Sequence, residues 1–106
     1  MSRPVRFHPA ALRELIEAAE FYDSEVPGLG GAFIDQAERA LRQLSAFPES
    51  SSVVFAPVRT KIVPAFPYSL MYSLTGEAVL ILAVAHQRRR PMYWGDREES
   101  AGAHSR

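Results

Sequence analysis

The sequence contains no cysteine, a single lysine and no net formal charge. Without cysteine there is no disulfide and no cysteine-ligated metal site, and the composition fits a reducing compartment. No apolar run approaches the roughly 20 residues that a membrane-spanning helix needs. The N-terminal residues also lack the apolar stretch of a signal peptide. We therefore expect a soluble cytoplasmic protein with no membrane partner.

Sequence signals for metal or phosphate cofactors are absent as well. The three histidines, His8, His86 and His104, lack the spacing of metal ligands. The glycine-rich stretch "GLGG" lies between two predicted helices, whereas a phosphate-binding loop follows a strand. We predict no metal and no cofactor.

Hydrophobic spacing in the first half of the chain predicts one short strand and two helices. Val5 and Phe7 alternate with polar residues in "RPVRFHP", which favours a strand. Helical periodicity follows over residues 10–25 and 31–47, and "VPGLGG" separates the two helices. The predicted core positions of these helices are Leu12, Leu15, Ile16, Ala19, Tyr22, Phe33, Ala37, Leu41 and Leu44. Glu14 and Glu17 are predicted to point outward.

After residue 50 the hydrophobic period changes to two, which indicates strands. "VRTKIV" and "YSLMYSL" alternate, "TGE" is typical of a hairpin turn, and "AVLILAVA" is apolar on both faces, as in a central strand. The predicted fold is α+β with the order β-α-α-β-β-β, an antiparallel sheet packed against an N-terminal helical hairpin. A chain of this length fits one domain, which we place at residues 1–97, with a disordered tail at residues 98–106.

Charge is distributed unevenly along the chain. Residues 1–50 carry eight acidic and five basic side chains, whereas residues 58–97 carry six basic and two acidic ones. Such asymmetry suggests an anionic partner for one face of the fold. Neutralisation of one half by the other within the fold is the alternative.

A candidate site follows from the basic residues. Arg59 and Lys61 are two positions apart on one predicted strand, so both project from the same face. If the helices cover the apolar face, this pair lies on the opposite face. His86 follows the last strand and reaches the same side, and Tyr93 and Trp94 could stack on a base. The remaining residues of this corner are Arg88, Arg89 and Arg90.

Each of these residues also has a purely structural interpretation. The three arginines could form a solvated turn with weak surface ion pairs. The two aromatic residues, Tyr93 and Trp94, could close the open end of a small core. His86 could be a hydrogen-bonded structural histidine, and His8 before Pro9 a helix cap or turn residue.

Several stretches together resemble a known family. "FHPAALREL", "EAAEFY", "PGLGGAF", "FPYSLMY" and "LAVAHQRRRPMYW" occur in the order and spacing of the RelE/ParE superfamily of type II toxin–antitoxin toxins, in the branch called plasmid stabilisation proteins. The resemblance covers residues 7–94. It implies the same β-α-α-β-β-β fold and a cognate antitoxin that neutralises the toxin by covering its active or basic surface.

The resemblance implies one of two activities. RelE-like members are metal-independent endoribonucleases that cut mRNA on the ribosome, which would place Arg59, Lys61 and Arg88 at the phosphate. His86 or Tyr93 would then transfer protons, and the predicted RNA-binding residues are Arg59, Lys61, Arg89, Arg90 and Trp94. ParE-like members instead poison DNA gyrase without catalytic residues. We expect mRNA cleavage, with gyrase inhibition or a non-toxic antitoxin-binding module as the alternatives.

Overall fold

The computed structural model describes residues 2–97, so the tail predicted to be disordered lies outside the described residues. The elements, in order, are β1 (Val5–Phe7), α1 (Pro9–Glu25), α2 (Leu29–Ala46), β2 (Ser52–Phe55), β3 (Val58–Ile62), β4 (Tyr68–Thr75) and β5 (Ala78–His86). The predicted α+β fold is confirmed, with one strand more than expected. Within residues 2–97 no helix is long and apolar enough to cross a membrane.

Helix α1 begins at a clear local signal. The Nδ1 atom of His8 accepts a hydrogen bond of 3.1 Å from the N–H of Ala10, and Pro9 occupies the first helical turn. Both features are favourable there because the first N–H groups of a helix have no partner within it. The helix-cap interpretation of His8 is confirmed. Gly28, with a φ of 91°, then forms the turn into α2.

The sheet has the strand order β1-β5-β4-β3-β2. Strands β2 to β5 pair antiparallel, but β1 pairs parallel with β5, so the expectation of a wholly antiparallel sheet is wrong at this edge. The reason is connectivity. No hairpin joins β1 to β5, and the long stretch of chain between them permits a parallel pair.

The unexpected strand is β2. Its residues Ser52–Phe55 are all exposed, and within the described chain it pairs with β3 alone. Val53 lies opposite Arg59 and Phe55 lies opposite Val58, so the register shifts at a bulge between them. Three consecutive apolar residues interrupted by a bulge do not show the strict alternation from which a strand is predicted.

The helices cover one face of the sheet, called here the inner face. Its core combines Ala11 and Ala18 of α1 and Phe33 and Leu44 of α2 with the inward side chains of β4 and β5. Leu12 and Ile16, predicted to be in the core, are 44% and 48% exposed. That prediction is wrong because the small alanines of α1 face the sheet, which lets the helix approach it closely.

The opposite, outer face carries a second core. Val58, Leu82, Ala83 and Ala85 pack there against Trp94, which is 3% exposed. The chain therefore passes back over the sheet after β5. The prediction that β5 is apolar on both faces is confirmed.

Candidate functional site

The basic pair on β3 projects from one face, as predicted, but from the inner face. Arg59 lies opposite Tyr72 and Lys61 lies opposite Leu70 on β4. Directly opposed residues of antiparallel strands share a face, and both partners belong to the inner core. The expectation that the pair lies opposite the helices is wrong, because Val58 turns outward to pack with Trp94.

Arg59 is engaged by the backbone of its own chain. Its Nη1 atom donates hydrogen bonds of 3.0 Å to the carbonyl of Glu49 and 2.6 Å to the carbonyl of Ser51. The Tyr72 hydroxyl donates a bond of 2.6 Å to the Pro48 carbonyl nearby. These bonds hold the connection between α2 and β2 against the sheet.

His86 ends β5 on the inner face, where it lies opposite Tyr68. The two rings contact edge to face with centroids 5.1 Å apart. The Nδ1 atom accepts a hydrogen bond of 3.0 Å from the N–H of Arg88. A neutral imidazole has one acceptor nitrogen, so its proton sits on Nε2. The lone pair that a general base would use is therefore occupied.

The arginines after β5 are exposed in a turn. The guanidinium of Arg89 lies 3.9 Å above the ring of Tyr93, at cation–π distance. Within residues 2–97 the one ion pair is Arg97 with Glu14, so no carboxylate of this part of the chain pairs with Arg88, Arg89 or Arg90.

The two aromatic residues are not open to stacking. Trp94 is buried in the outer core, which supports the interpretation that it closes this core. Tyr93 is covered by Arg89, and its hydroxyl donates a hydrogen bond of 2.9 Å to Oε2 of Glu14. Burial, and then the bond to Glu14, raise the pKa of Tyr93 above its ordinary value. Near neutral pH this hydroxyl remains a protonated donor.

Glu14 is the residue of this region that the sequence analysis missed. Its carboxylate accepts hydrogen bonds from Val84 N–H, the Tyr93 hydroxyl and both terminal nitrogens of Arg97, at 2.9 to 3.1 Å. Arg97 also donates a bond of 3.0 Å to the Leu82 carbonyl. Strand β1 ends opposite Ile81. Glu14 and Arg97 therefore satisfy the backbone edge of β5 that β1 leaves open.

A sequence signal for Glu14 was present but weak. Glu14 is three residues after Ala11 and four before Ala18, so all three lie on neighbouring parts of one helical face. The predicted core face of α1 is centred on Leu12 and Ile16, and a face centred there places Glu14 on the solvent side. Arg97 offers no comparable signal, since 83 positions separate it from Glu14.

The structure divides the predicted site into two parts. Lys61, Leu70 and Val84 lie in one row across β3, β4 and β5. His86 is two residues further along β5, so its Cα lies roughly 12 Å from that of Lys61, from standard strand spacing. The buried side chain of Leu70 lies in that row between β3 and β5. Only the contiguous corner of residues 86–94 is brought together.

A family match and a structural match to known proteins both support the fold described above. The sequence profile of the family described as ParE toxin of type II toxin-antitoxin system, parDE, matches residues 5–91. A solved structure, described as the chromosomal ParDE TA system from P. aeruginosa, superposes with a TM-score of 0.70 at 15% identity and covers 80% of this chain and 96% of that one. Curated proteins gave no significant match. The chain belongs to the ParE toxin family of type II toxin–antitoxin systems.

Proposed function

We propose that this toxin acts by binding DNA gyrase and does not itself cut mRNA. The observation that carries the proposal is the engagement of its candidate catalytic groups by the protein's own atoms. His86 Nδ1 accepts from the backbone, the Tyr93 hydroxyl donates to Glu14, and Arg59 binds two carbonyls. ParE-like toxins, which the sequence resembles, are the gyrase-directed members of the superfamily.

The chemistry of RNA cleavage supports the same conclusion. Attack of a ribose 2′-hydroxyl on its phosphate needs a base, an acid and cations within hydrogen-bond reach of one phosphate. Arg59 and Lys61 lie on β3, two strands away from His86 on β5. The buried side chain of Leu70 lies between these two sets of groups on the inner face, which does not favour their meeting at one phosphate.

A stacking platform for single-stranded RNA is lacking in the same corner. Trp94 is 3% exposed, and Arg89 covers the ring of Tyr93. Base stacking on open aromatic rings contributes about 1–3 kcal/mol per base in proteins that bind single strands. This corner keeps its positive charge, but it offers no open aromatic ring on which a base could stack.

Helix α1 offers a surface suited to a protein target. Leu12 and Ile16 are 44% and 48% exposed. Leu12 and Ile16 are four residues apart and therefore adjacent on the helix surface. Grouped exposed apolar residues are typical of protein-binding surfaces. We place the gyrase contact on this side of α1.

The test is a supercoiling assay with purified gyrase, run beside primer extension on an mRNA translated in vitro. We expect the wild-type chain to inhibit supercoiling and to leave the message intact. Ile16→Asp should weaken inhibition at least about tenfold, because a carboxylate in an apolar contact is strongly unfavourable. The matched control, Ile62→Asp, alters an isoleucine on β3 that is 61% exposed and should retain inhibition, as should His86→Ala.

Two outcomes would contradict the proposal. Cuts confined to ribosome-bound message that disappear in His86→Ala would establish mRNA cleavage. A folded chain that is inactive in both assays would instead indicate a non-toxic module that binds antitoxin. Circular dichroism of every variant establishes that the samples are folded.

A further inference from the structure

Strand β2 leaves one backbone edge of the sheet without a partner strand. Within residues 2–97 it is the last strand in the order β1-β5-β4-β3-β2 and pairs with β3 alone. Its four residues, Ser52–Phe55, are all exposed. An unpaired edge presents N–H and C=O groups that can pair with a strand of another chain. This edge is therefore a candidate interface.

The two edges of the sheet differ in how they are protected. Strand β1 has three residues, carries the exposed Arg6 and lies between Pro4 and Pro9. Short length, a charge and nearby prolines are common protection for an edge strand. Residues 50–58, by contrast, contain no charged side chain. The bulge in β2 limits the length of a pairing, but it adds no charge that would repel a partner.

Apolar side chains flank the β2 edge on both faces of the sheet. Val53 lies opposite Arg59, which places it on the inner side, and it is 52% exposed. Phe55 lies opposite Val58 of the outer core, and the bulge residue Val54 shares that side. Val54 and Phe55 are 46% and 62% exposed. A strand added here would make apolar contacts on both faces as well as backbone hydrogen bonds.

A second copy of β2 matches this pattern in one antiparallel register. Opposed residues of antiparallel strands share a face of the sheet. Ser52 lies opposite Thr60, and Thr60 lies opposite Met71, which packs against the outer core. Ser52 is therefore on the outer side. A two-fold axis centred on Val53 places Val53 against Val53 and Ser52 against Val54, so both kinds of pair share a face.

We propose that the toxin forms a symmetric homodimer through antiparallel pairing of β2 with β2 of a second copy, with the two Val53 residues directly opposed across the two-fold axis. A two-fold interface is self-complementary, and an uncharged strand meets its own copy without electrostatic repulsion. The two five-stranded sheets then form one continuous sheet. Because four residues on each side bury little area, the dimer is reversible.

The first test measures the mass of the 106-residue chain, purified without antitoxin, by analytical ultracentrifugation at about 1 to 100 μM. We expect a monomer–dimer equilibrium within that range. Val53→Asp would place two carboxylates opposite each other and should weaken dimerisation at least about tenfold. Val26→Asp is the matched control, because Val26 is 53% exposed at the end of α1. It should change the dimerisation constant less than about twofold.

A disulfide tests the register of the two strands. The chain contains no cysteine, so Val53→Cys introduces a single thiol. Directly opposed Cα atoms lie about 4.5–5.5 Å apart, within the range that a disulfide bridges. Under mild oxidation Val53→Cys should form a covalent dimer at least about tenfold faster than Val26→Cys, because strand pairing holds the two thiols at a high effective concentration.

The proposal is overturned if the wild type stays monomeric at about 100 μM, if folded Val53→Asp dimerises as the wild type does, or if the two cysteine variants crosslink at equal rates. Thermal unfolding of each variant separates a lost interface from a lost fold. If Val53→Asp does not fold, the comparison of the cysteine variants decides.

Hydrogen exchange identifies a different occupant of the edge if the chain is monomeric. Protection of residues 52–55 that appears only with antitoxin would assign the edge to the antitoxin. Protection that disappears on removal of residues 98–106 would assign it to that segment. The proposal does not depend on the gyrase target, which is placed on α1. Val53→Asp should inhibit supercoiling as the wild type does, so failure of one proposal is distinguishable from failure of the other.

Discussion

Arg97 and Glu14 form a two-pronged ion pair, with Nη1–Oε1 and Nη2–Oε2 distances of 3.0 and 3.1 Å. It joins the end of the described chain to the first helix. Both side chains are largely buried, at 18% and 14% exposure. The pair holds the segment that carries Tyr93 and Trp94, and thereby the cover of the outer core. The corner after β5 owes its shape to this contact.

Glu14→Gln should destabilise the fold by about 2–4 kcal/mol, because it leaves the Arg97 charge unpaired in a poorly solvated place. Urea unfolding measures the free energy of unfolding. Glu17→Gln is the matched control, since Glu17 is exposed on the same helix, and should change stability by less than about 0.5 kcal/mol. Equal effects of the two substitutions would contradict the role assigned to Glu14.

Tyr93 should make stability depend on pH in the alkaline range. Its pKa is raised in the folded state by burial and by the bond to Glu14. Its contribution is therefore complete below about pH 10, the ordinary tyrosine value, and is lost as the pH rises further through the folded pKa. We expect the free energy of unfolding to fall less steeply above about pH 10 in Tyr93→Phe than in the wild type.

Absorbance at the phenolate band gives an independent check. The titrations of the folded wild type and Tyr93→Phe should coincide up to about pH 10. A difference between them with a midpoint at or below that pH would show that Tyr93 ionises normally, contrary to the prediction.

Arg59→Ala should destabilise the protein by about 1–3 kcal/mol, because two backbone carbonyls lose their donor. Hydrogen exchange should rise over residues 49–55, where Arg59 holds the chain. Lys61→Ala is the control and should have little effect on unfolding. If Arg59→Ala removed toxicity while leaving stability and exchange unchanged, Arg59 would act on a target and not on its own loop.

The stability of the fold should respond differently to alanine at Gly30 and at Gly31. A Cβ on Gly30 would lie 2.8 Å from the carboxylate of Asp23 and closer still to the Ala19 carbonyl, where α1 and α2 approach each other. We expect Gly30→Ala to destabilise by about 1–3 kcal/mol. Gly31 has open space around it, so Gly31→Ala should be neutral or stabilising by up to about 1 kcal/mol. Thermal unfolding of both variants tests this expectation. A similar loss of stability in each would disprove a close helix contact at Gly30.

Periodicity was enough to predict both helices and the strands β3, β4 and β5, because their apolar residues repeat at the spacing of one buried face. It failed where that spacing was interrupted or misleading. The bulge in β2 hid a strand. The predicted core stripe of α1 includes Leu12 and Ile16, whereas Ala11 and Ala18 are the buried residues that face the sheet.

The candidate site was predicted only as far as it is local. Residues 86–94 are contiguous, so their proximity needed no knowledge of the fold. Arg59 and Lys61 were expected on the same side of the sheet as the corner and indeed share its inner face with His86, but β4 separates them from it. Which residues meet across strands depends on register and strand order, which no single segment specifies.

The sequence by itself determined the type and order of most elements, the uneven distribution of charge and the resemblance to the toxin superfamily. Those properties follow from neighbouring residues and their spacing. Only the tertiary structure decided that Glu14 and Arg97 meet, that Trp94 is buried and that His86 and Arg59 are already bonded. Glu14 and Arg97 are 83 positions apart and meet because their burial leaves each charge to find a partner within the fold. The bonds of His86 and Arg59 are shorter in sequence and depend on how the neighbouring turns are folded.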